Sequence, residues 1–134
     1  MGYRIIGIGS YVPQNVLNNH DLENMVDTSD EWITERTGIK ERRIASPEEA
    51  TSDLAYNASV EALKDAGISP GELDAIIVAT ATPDMAFPPT ACLVQTRLRA
   101  RKIFCMDMEA ACPGFLFALD VGRGLLALKD VYKK

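Results

Sequence analysis

The sequence predicts a layered α/β/α fold with a mostly parallel sheet, and three observations support this prediction. Residues 75–79 are apolar throughout, which is typical of a parallel strand covered on both faces. Residues 102–107 form a second short apolar run bounded by charge. Helical patterns lie before, between and after these two runs. Strands that alternate with helices favour a sheet with helices packed on its faces.

The elements before residue 50 are each bounded by a capping side chain or a glycine. Ser, Thr, Asn and Asp cap helix N-termini, and glycine ends helices in the left-handed conformation. The expected elements are a strand over 3–8 ended by Gly9, a helix over 21–26 capped by Asn19, a helix over 30–37 capped by Ser29 and stopped by Gly38, and an extended segment over 40–45.

The later elements follow from periodicity and from proline. Pro88-Pro89 leads into a helix, because proline suits a first helical turn. The expected elements are a helix from Thr51 or Ser52 to Gly67, a helical turn at Ser69-Pro70, a strand over 75–79, a helix over 90–98, a strand over 102–107 and a helix from Phe115. Gly122 and Gly124 within the last helix predict either close helix packing or early fraying.

Composition excludes some classes of protein. The 134 residues carry a formal net charge of −5, which argues against a nucleic-acid-binding protein. No apolar stretch approaches the roughly 20 residues of a membrane-spanning helix. The three cysteines have neither metal-ligand nor regular spacing, and no signal peptide is seen. We therefore expect a cytoplasmic protein without a metal site and without nucleic-acid or membrane partners.

The residues around Cys112 predict a nucleophile. The predicted order is strand, Cys112 and then helix, with Pro113 in the first helical turn. Cys112 is thus expected at about the N-cap, where the positive end of the helix dipole favours a thiolate. A main-chain N–H there can also bind the oxyanion of an acyl intermediate. The alternative is a packing cysteine, which is the interpretation given to Cys92 and Cys105.

Several longer motifs in order resemble one family. They are Ile6-Gly7-Ile8-Gly9-Ser10-Tyr11-Val12-Pro13, Asp27-Thr28-Ser29-Asp30-Glu31-Trp32-Ile33, Arg36-Thr37-Gly38-Ile39-Lys40-Glu41-Arg42, Phe87-Pro88 with Thr90-Ala91-Cys92, and Ala110-Ala111-Cys112 with Gly114-Phe115. Together they are similar to the N-terminal part of the β-ketoacyl-[acyl-carrier-protein] synthase III family. The resemblance implies that residues 1–134 are a partial N-terminal domain of the thiolase-like fold.

The resemblance implies an acyltransferase that starts fatty acid biosynthesis. Such an enzyme condenses a short acyl-CoA with malonyl-[acyl-carrier-protein] through an acyl-cysteine, as a homodimer and with no cofactor. It implies that Cys112 is the nucleophile, that Trp32 stacks on the CoA adenine with Thr28 and Arg36 near the nucleotide, and that Phe87 crosses the dimer interface to line the partner's acyl pocket. Without the family, core packing of Trp32 and loop packing of Phe87 are the alternatives.

The sequence departs from the family pattern in its second half. The resemblance implies that the family's catalytic His and Asn lie in the second half of its sequence, to which this chain has no matching residues. The lone His20 corresponds to no catalytic position. The resemblance also implies five strands in the order 3-2-4-5-1, with the two unmatched strands between the first and second. We expect that the chain alone does not complete the reaction. Two alternatives stay open: a noncatalytic piece that assembles with another polypeptide, and an acyltransferase of secondary metabolism.

Overall fold

Four strands pair two by two in the computed structural model, which describes residues 3–128 and 131–133. Among these residues, an antiparallel pair lies in a small unit, Val12–Glu49, and a parallel pair lies in a large unit, Met1–Tyr11 with Ala50–Lys134. The strands are β1 (Asn15–Asn18), β2 (Glu41–Ile44), β3 (Ala75–Ala79) and β4 (Phe104–Met108).

The small unit contains two helices between its strands, α1 (Asn19–Glu23) and α2 (Asp30–Thr37). The predicted boundaries of α2 are confirmed. The Ser29 side chain accepts a hydrogen bond from the Trp32 N–H at 3.1 Å, and Gly38 ends the helix at a φ of 72°. The extended segment near residue 40 is also confirmed as β2, whereas β1 is not among the predicted strands.

Asn19 has a different role from the predicted cap. Asn18 caps α1, and Asn19 is buried with 1% of its surface exposed. Its amide nitrogen donates to the Asp30 carboxylate at 2.7 Å and to the Ile39 carbonyl at 2.8 Å, and its amide oxygen accepts from Arg42. A buried amide must satisfy its polar atoms, and Asn19 does so by joining α1, α2 and the start of β2.

The large unit carries the longer helices: α3 (Thr51–Ala66), α4 (Thr90–Leu98) and α5 (Gly114–Ala127), with a short 3₁₀ turn over Pro70–Glu72. The predicted 75–79 strand and 90–98 helix are confirmed at both ends. Gly67 ends α3 at a φ of 66°, as the sequence indicates. None of the helices in the described part is long and apolar enough to cross a bilayer.

Helices α4 and α5 cover opposite faces of the parallel pair. Ala79 contacts the start of α5, and Ala75 and Ile77 line a gap beside that helix. Asp107 pairs in register with Val78 and binds α4. Because side chains alternate along a strand, residues 75, 77 and 79 face one side, and residue 78 with its partner Asp107 faces the other. Val94 of α4 is 1% exposed and belongs to the core. This arrangement confirms the layered α/β/α prediction.

The prediction of a strand over residues 3–8 is wrong. No described strand pairs with this segment, and a strand exists only where a neighbour completes its hydrogen-bond ladder. Instead, the Ile8 N–H donates to the Asp65 carboxylate at 2.9 Å.

Gly122 and Gly124 do not shorten α5, which continues to Ala127. Early fraying is therefore wrong. Close packing is not seen either, since a Cβ added at each of them would meet nothing within 4 Å in the described residues. Gly9 is the opposite case, because an added Cβ would overlap the backbone of Ala58 and Ala62 on α3.

We expect Gly124→Ala and Gly9→Ala to change stability in opposite directions. Gly124→Ala should raise the free energy of unfolding by about 0.5–1 kcal/mol, because alanine is the better helix former and has room. Gly9→Ala should lower it by about 1–3 kcal/mol through overpacking. Urea unfolding followed by circular dichroism measures both. A stable Gly9→Ala variant would contradict the close approach to α3.

Candidate active site

Cys112 lies on the turn that joins β4 to α5, and its side chain is exposed. The Gly114 N–H donates to the Ala111 carbonyl at 3.0 Å, which closes a tight turn around Cys112 and Pro113. Sharp strand-to-helix turns of this kind lift a nucleophile above the carboxyl end of a sheet. The exposure of Cys112 excludes the packing interpretation for this residue.

The turn is strained at Ala111, whose φ is 45°. A non-glycine residue in the left-handed region costs about 1–2 kcal/mol, so neighbouring contacts must hold it there. The Gly114 N–H supplies one such contact through its hydrogen bond to the Ala111 carbonyl. Gly114 is buried close to the end of β3, since a Cβ built on it would lie 3.5 Å from the Ala79 Cβ.

The predicted N-cap position of Cys112 is wrong by one residue. Pro113 is the N-cap of α5, and the helix begins at Gly114. The proline ring fixes φ at the cap and leaves Cys112 just outside the helix. The backbone amides of the first helical turn remain close in sequence to the thiol.

The other two cysteines lie away from this turn. Cys92 is on α4 and Cys105 is on β4, and both are half-buried. Burial, with the nearby Cys92 thiol, raises the pKa of Cys105 to about 11. Cys105 is thus protonated at neutral pH, which agrees with the prediction that it is a packing residue.

Trp32 and Arg36 lie one turn apart on α2 of the small unit. The Arg36 guanidinium carbon lies 5.0 Å from the centroid of the Trp32 ring, a cation–π distance. Trp32 is 54% exposed, so it is not the core residue of the alternative interpretation. Thr28 is half-buried in the loop directly before the Ser29 cap. Trp32 and Arg36 therefore share one face of α2, and Thr28 precedes the N-terminus of the same helix.

Phe87 projects from the segment of residues 80–89, which joins β3 to α4 in the large unit. Its exposed fraction is 83%, which excludes the interpretation that it packs the loop. This segment is anchored to α3 twice. The Asp84 carboxylate accepts from the Ser52 N–H at 2.8 Å, and the Thr82 carbonyl accepts from the Thr51 hydroxyl at 2.6 Å.

Asp84 and Asp107 are residues that the sequence analysis missed. The predicted caps Thr51 and Ser52 are wrong, because α3 begins after Ala50, which has no capping side chain. Helix α4 begins after Pro89, which also has none. The Asp107 carboxylate accepts from the N–H groups of the first two α4 residues, at 2.6 and 2.8 Å. A carboxylate within an apolar strand was the available signal, since a buried charge needs partners.

His20 is not one of the candidate site residues, and the described residues form no metal-ligating group. His20 lies in α1 rather than in a loop, and its exposed ring is 3.1 Å from the Glu23 carboxylate. That hydrogen bond raises the pKa of His20 above its ordinary value. Among residues 3–128 and 131–133, no three His, Cys, Asp or Glu side chains are grouped to hold a metal ion.

Known sequences similar to this chain include synthase III enzymes of several bacteria. No family model matches the chain. Beta-ketoacyl-[acyl-carrier-protein] synthase III of Aquifex aeolicus (strain VF5) is 60% identical over 126 residues, which are 94% of this chain and 40% of that enzyme. The synthase III of Desulfitobacterium hafniense (strain Y51) is 56% identical over 129 residues, which are 96% of this chain and 39% of that enzyme.

Solved structures agree with this match. The crystal structure of 3-oxoacyl-[acyl-carrier-protein] synthase III from Aquifex aeolicus VF5 superposes with a TM-score of 0.92 at 55% identity, covering 96% of this chain and 41% of that one. This chain resembles the N-terminal part of β-ketoacyl-[acyl-carrier-protein] synthase III. The predicted resemblance and the thiolase-like fold are thus confirmed. The chain spans about 40% of the length of these synthase III relatives.

A second neighbour is the priming β-ketosynthase of the R1128 polyketide pathway. Its TM-score is 0.85 at 38% identity, covering 89% of this chain and 36% of that one. Another, OleA of Xanthomonas campestris, has a TM-score of 0.86 at 22% identity and supports the fold alone. The synthase III relatives described above are more similar to this chain in sequence than these two neighbours are.

We expect iodoacetamide at pH 8 to alkylate Cys112 first and Cys105 last. With a pKa of about 11 against an ordinary 9.0, Cys105 holds roughly a hundredfold less thiolate at this pH. Peptide mass mapping over time gives the order of labelling. Cys112→Ser should remove the fast phase and Cys105→Ser should leave it. Equal rates at the two residues would contradict the assignment of Cys105 as a half-buried, protonated thiol.

Proposed function

We propose that this chain supplies the nucleophile and CoA-recognition surface of a 3-oxoacyl-[acyl-carrier-protein] synthase III. The whole enzyme would condense a short acyl-CoA with malonyl-[acyl-carrier-protein] and so start fatty acid biosynthesis in the cytoplasm. The observation that carries the proposal is the exposed Cys112 on a strained turn between a parallel strand and a helix. The similarity to synthase III supports it, and residues 1–134 are its partial N-terminal thiolase-like domain.

The first step is a transfer of the acyl group between two sulfur atoms. The Cys112 thiolate attacks the thioester carbonyl of acyl-CoA and forms a tetrahedral oxyanion. Main-chain N–H groups at the start of α5 are close in sequence to stabilise that charge. The C–S bond to CoA then breaks, CoA leaves as a thiolate that takes up a proton, and the acyl group stays on Cys112. This step needs no metal or other cofactor.

The second step needs groups that this chain does not provide. By resemblance, a histidine and an asparagine assist the decarboxylation of malonyl-[acyl-carrier-protein], and the resulting carbanion attacks the acyl-cysteine. The one histidine here, His20, is exposed and bound to Glu23. We therefore assign the acylation half of the reaction to this chain and not the whole condensation.

The exposed apolar Phe87 supports a homodimer. An aromatic ring with 83% of its surface exposed is costly in water and fits a contact with a second copy. By resemblance, it would line the acyl pocket of that copy. The three free cysteines support a reducing, cytoplasmic environment.

A priming synthase of secondary metabolism is the second candidate. The 38% identity to the R1128 priming β-ketosynthase favours it. The two candidates share the acylation step, and we propose that they differ in the acyl group that Cys112 accepts. Competition between acetyl-CoA and longer acyl-CoA thioesters for Cys112 separates them.

Acetyl-CoA should add one acetyl group to the chain, and Cys112→Ser should abolish the addition. Intact mass spectrometry after incubation measures it. Because Cys112 is exposed, Cys112→Ala should change the free energy of unfolding by less than about 0.5 kcal/mol. A folded chain that gains no acetyl group would contradict acylation by this chain alone and favour a noncatalytic piece that assembles with another polypeptide.

CoA should quench the fluorescence of Trp32, the single tryptophan of the chain. The quenching is expected because the adenine stacks on the indole ring. The Arg36 guanidinium is proposed to bind a phosphate group of CoA. Arg36→Gln should weaken CoA binding by about tenfold, because a charge-assisted contact is lost. Arg43→Gln on β2 makes the same charge change beside Glu41 and is the control. Equal loss in both variants would indicate only a general charge effect.

A further inference from the structure

Two carboxylates hold the segment that carries Phe87. In the middle of the segment, Asp84 accepts a hydrogen bond from the Ser52 N–H in the first turn of α3. At its C-terminal end, Asp107 of β4 accepts from the N–H groups of Thr90 and Ala91, which begin α4 directly after the segment. The segment is therefore tied to α3 through its own side chain and to β4 through the helix that follows it.

These bonds replace caps that the local sequence does not provide. Ala50 and Pro89 precede the two helices, and neither side chain can accept a hydrogen bond. The N–H groups concerned belong to buried residues: Ser52 is 6% exposed, and Thr90 and Ala91 are fully buried. Water cannot readily replace the carboxylates there. The start of α3 is therefore satisfied only when the segment is in place, and the start of α4 only when that helix lies against β4.

Strand β4, which carries Asp107, also leads to Cys112. Asp107 lies five residues before Cys112, and its neighbour Met108 accepts a hydrogen bond from the Thr80 N–H at the start of the segment. A displacement of α4 relative to β4 would therefore move Phe87 relative to the Cys112 turn. Between its anchors the segment exposes Met85 and Phe87, at 48% and 83%.

We propose that Asp84 and Asp107 are positioning residues that fix residues 80–89 and hold Phe87 in one place relative to the Cys112 turn. The effect of this positioning on the selection of acyl-CoA rests on the proposed function. The placement of Phe87 by the two carboxylates does not. The two carboxylates differ in the number of oxygen atoms that accept hydrogen bonds. Asp84 uses a single oxygen, so asparagine can replace it, but Asp107 uses both oxygens, so asparagine cannot.

Fluorine NMR of the chain labelled with 4-fluorophenylalanine tests the placement. The chain has four phenylalanines, and Phe87→Leu identifies the resonance of Phe87. We expect Asp84→Ala, Asp107→Ala and Asp107→Asn to shift and broaden that resonance while Phe115 and Phe117 keep theirs. Asp84→Asn should restore the parent signal. Asp65→Asn is the control, since Asp65 also binds a backbone N–H of the large unit, that of Ile8.

An unchanged Phe87 resonance in Asp84→Ala would overturn the proposal. If an Asp107 variant unfolds, the contrast between Asp84→Ala and Asp84→Asn still decides it. Rates of Cys112 acylation give the functional result. Asp84→Ala should raise the half-saturating concentration of hexanoyl-CoA by about tenfold and leave the maximal rate with acetyl-CoA within about twofold, as expected for lost orientation. If the parent chain is not acylated, the proposed function fails while the fluorine signal still tests the positioning.

Discussion

The parallel pairing of β3 with β4 is the constraint on which the large unit depends. Ala75 pairs with Phe104 and Ala79 with Met108, so both strands end at the same edge. The segment of Phe87 follows one strand end and the turn of Cys112 follows the other. Reactive and binding groups of parallel sheets gather at such edges, because the connections there are free to vary. The pairing thus places an exposed thiol and an exposed aromatic ring at the same edge of the sheet, in the connections that follow the carboxyl ends of β3 and β4.

Carboxylates distant in sequence then complete this edge. Asp84 and Asp107 satisfy the first turns of α3 and α4, which follow residues without a capping side chain. The strained conformation of Ala111 in the Cys112 turn likewise depends on its surroundings, which include the hydrogen bond from the N–H of the buried Gly114 to the Ala111 carbonyl. Strain at a functional turn persists only where the surrounding structure holds it.

A buried amide links the elements of the small unit. Asn19 joins both helices to the start of β2, so α2 is held while Trp32 and Arg36 on its outer face stay exposed. The exposed Trp32 indole has the Arg36 guanidinium over its ring at a cation–π distance. The polar contacts inside the unit thus leave the two residues proposed to bind CoA on the surface.

The sequence by itself determined the features that depend on neighbours along the chain. Ser29 and Gly38 bound α2, Gly67 ends α3, and the apolar run at 75–79 is a strand, because caps, glycine conformation and periodicity act over a few residues. The place of Cys112 between a strand and a helix follows in the same way, from an apolar run, a proline and a helical pattern in order. Only the tertiary structure decided the rest. Residues 3–8 lack a strand because pairing needs a distant partner, and Asn19, Asp84 and Asp107 have their roles because a hydrogen bond joins residues in space, which spacing along the chain does not reveal.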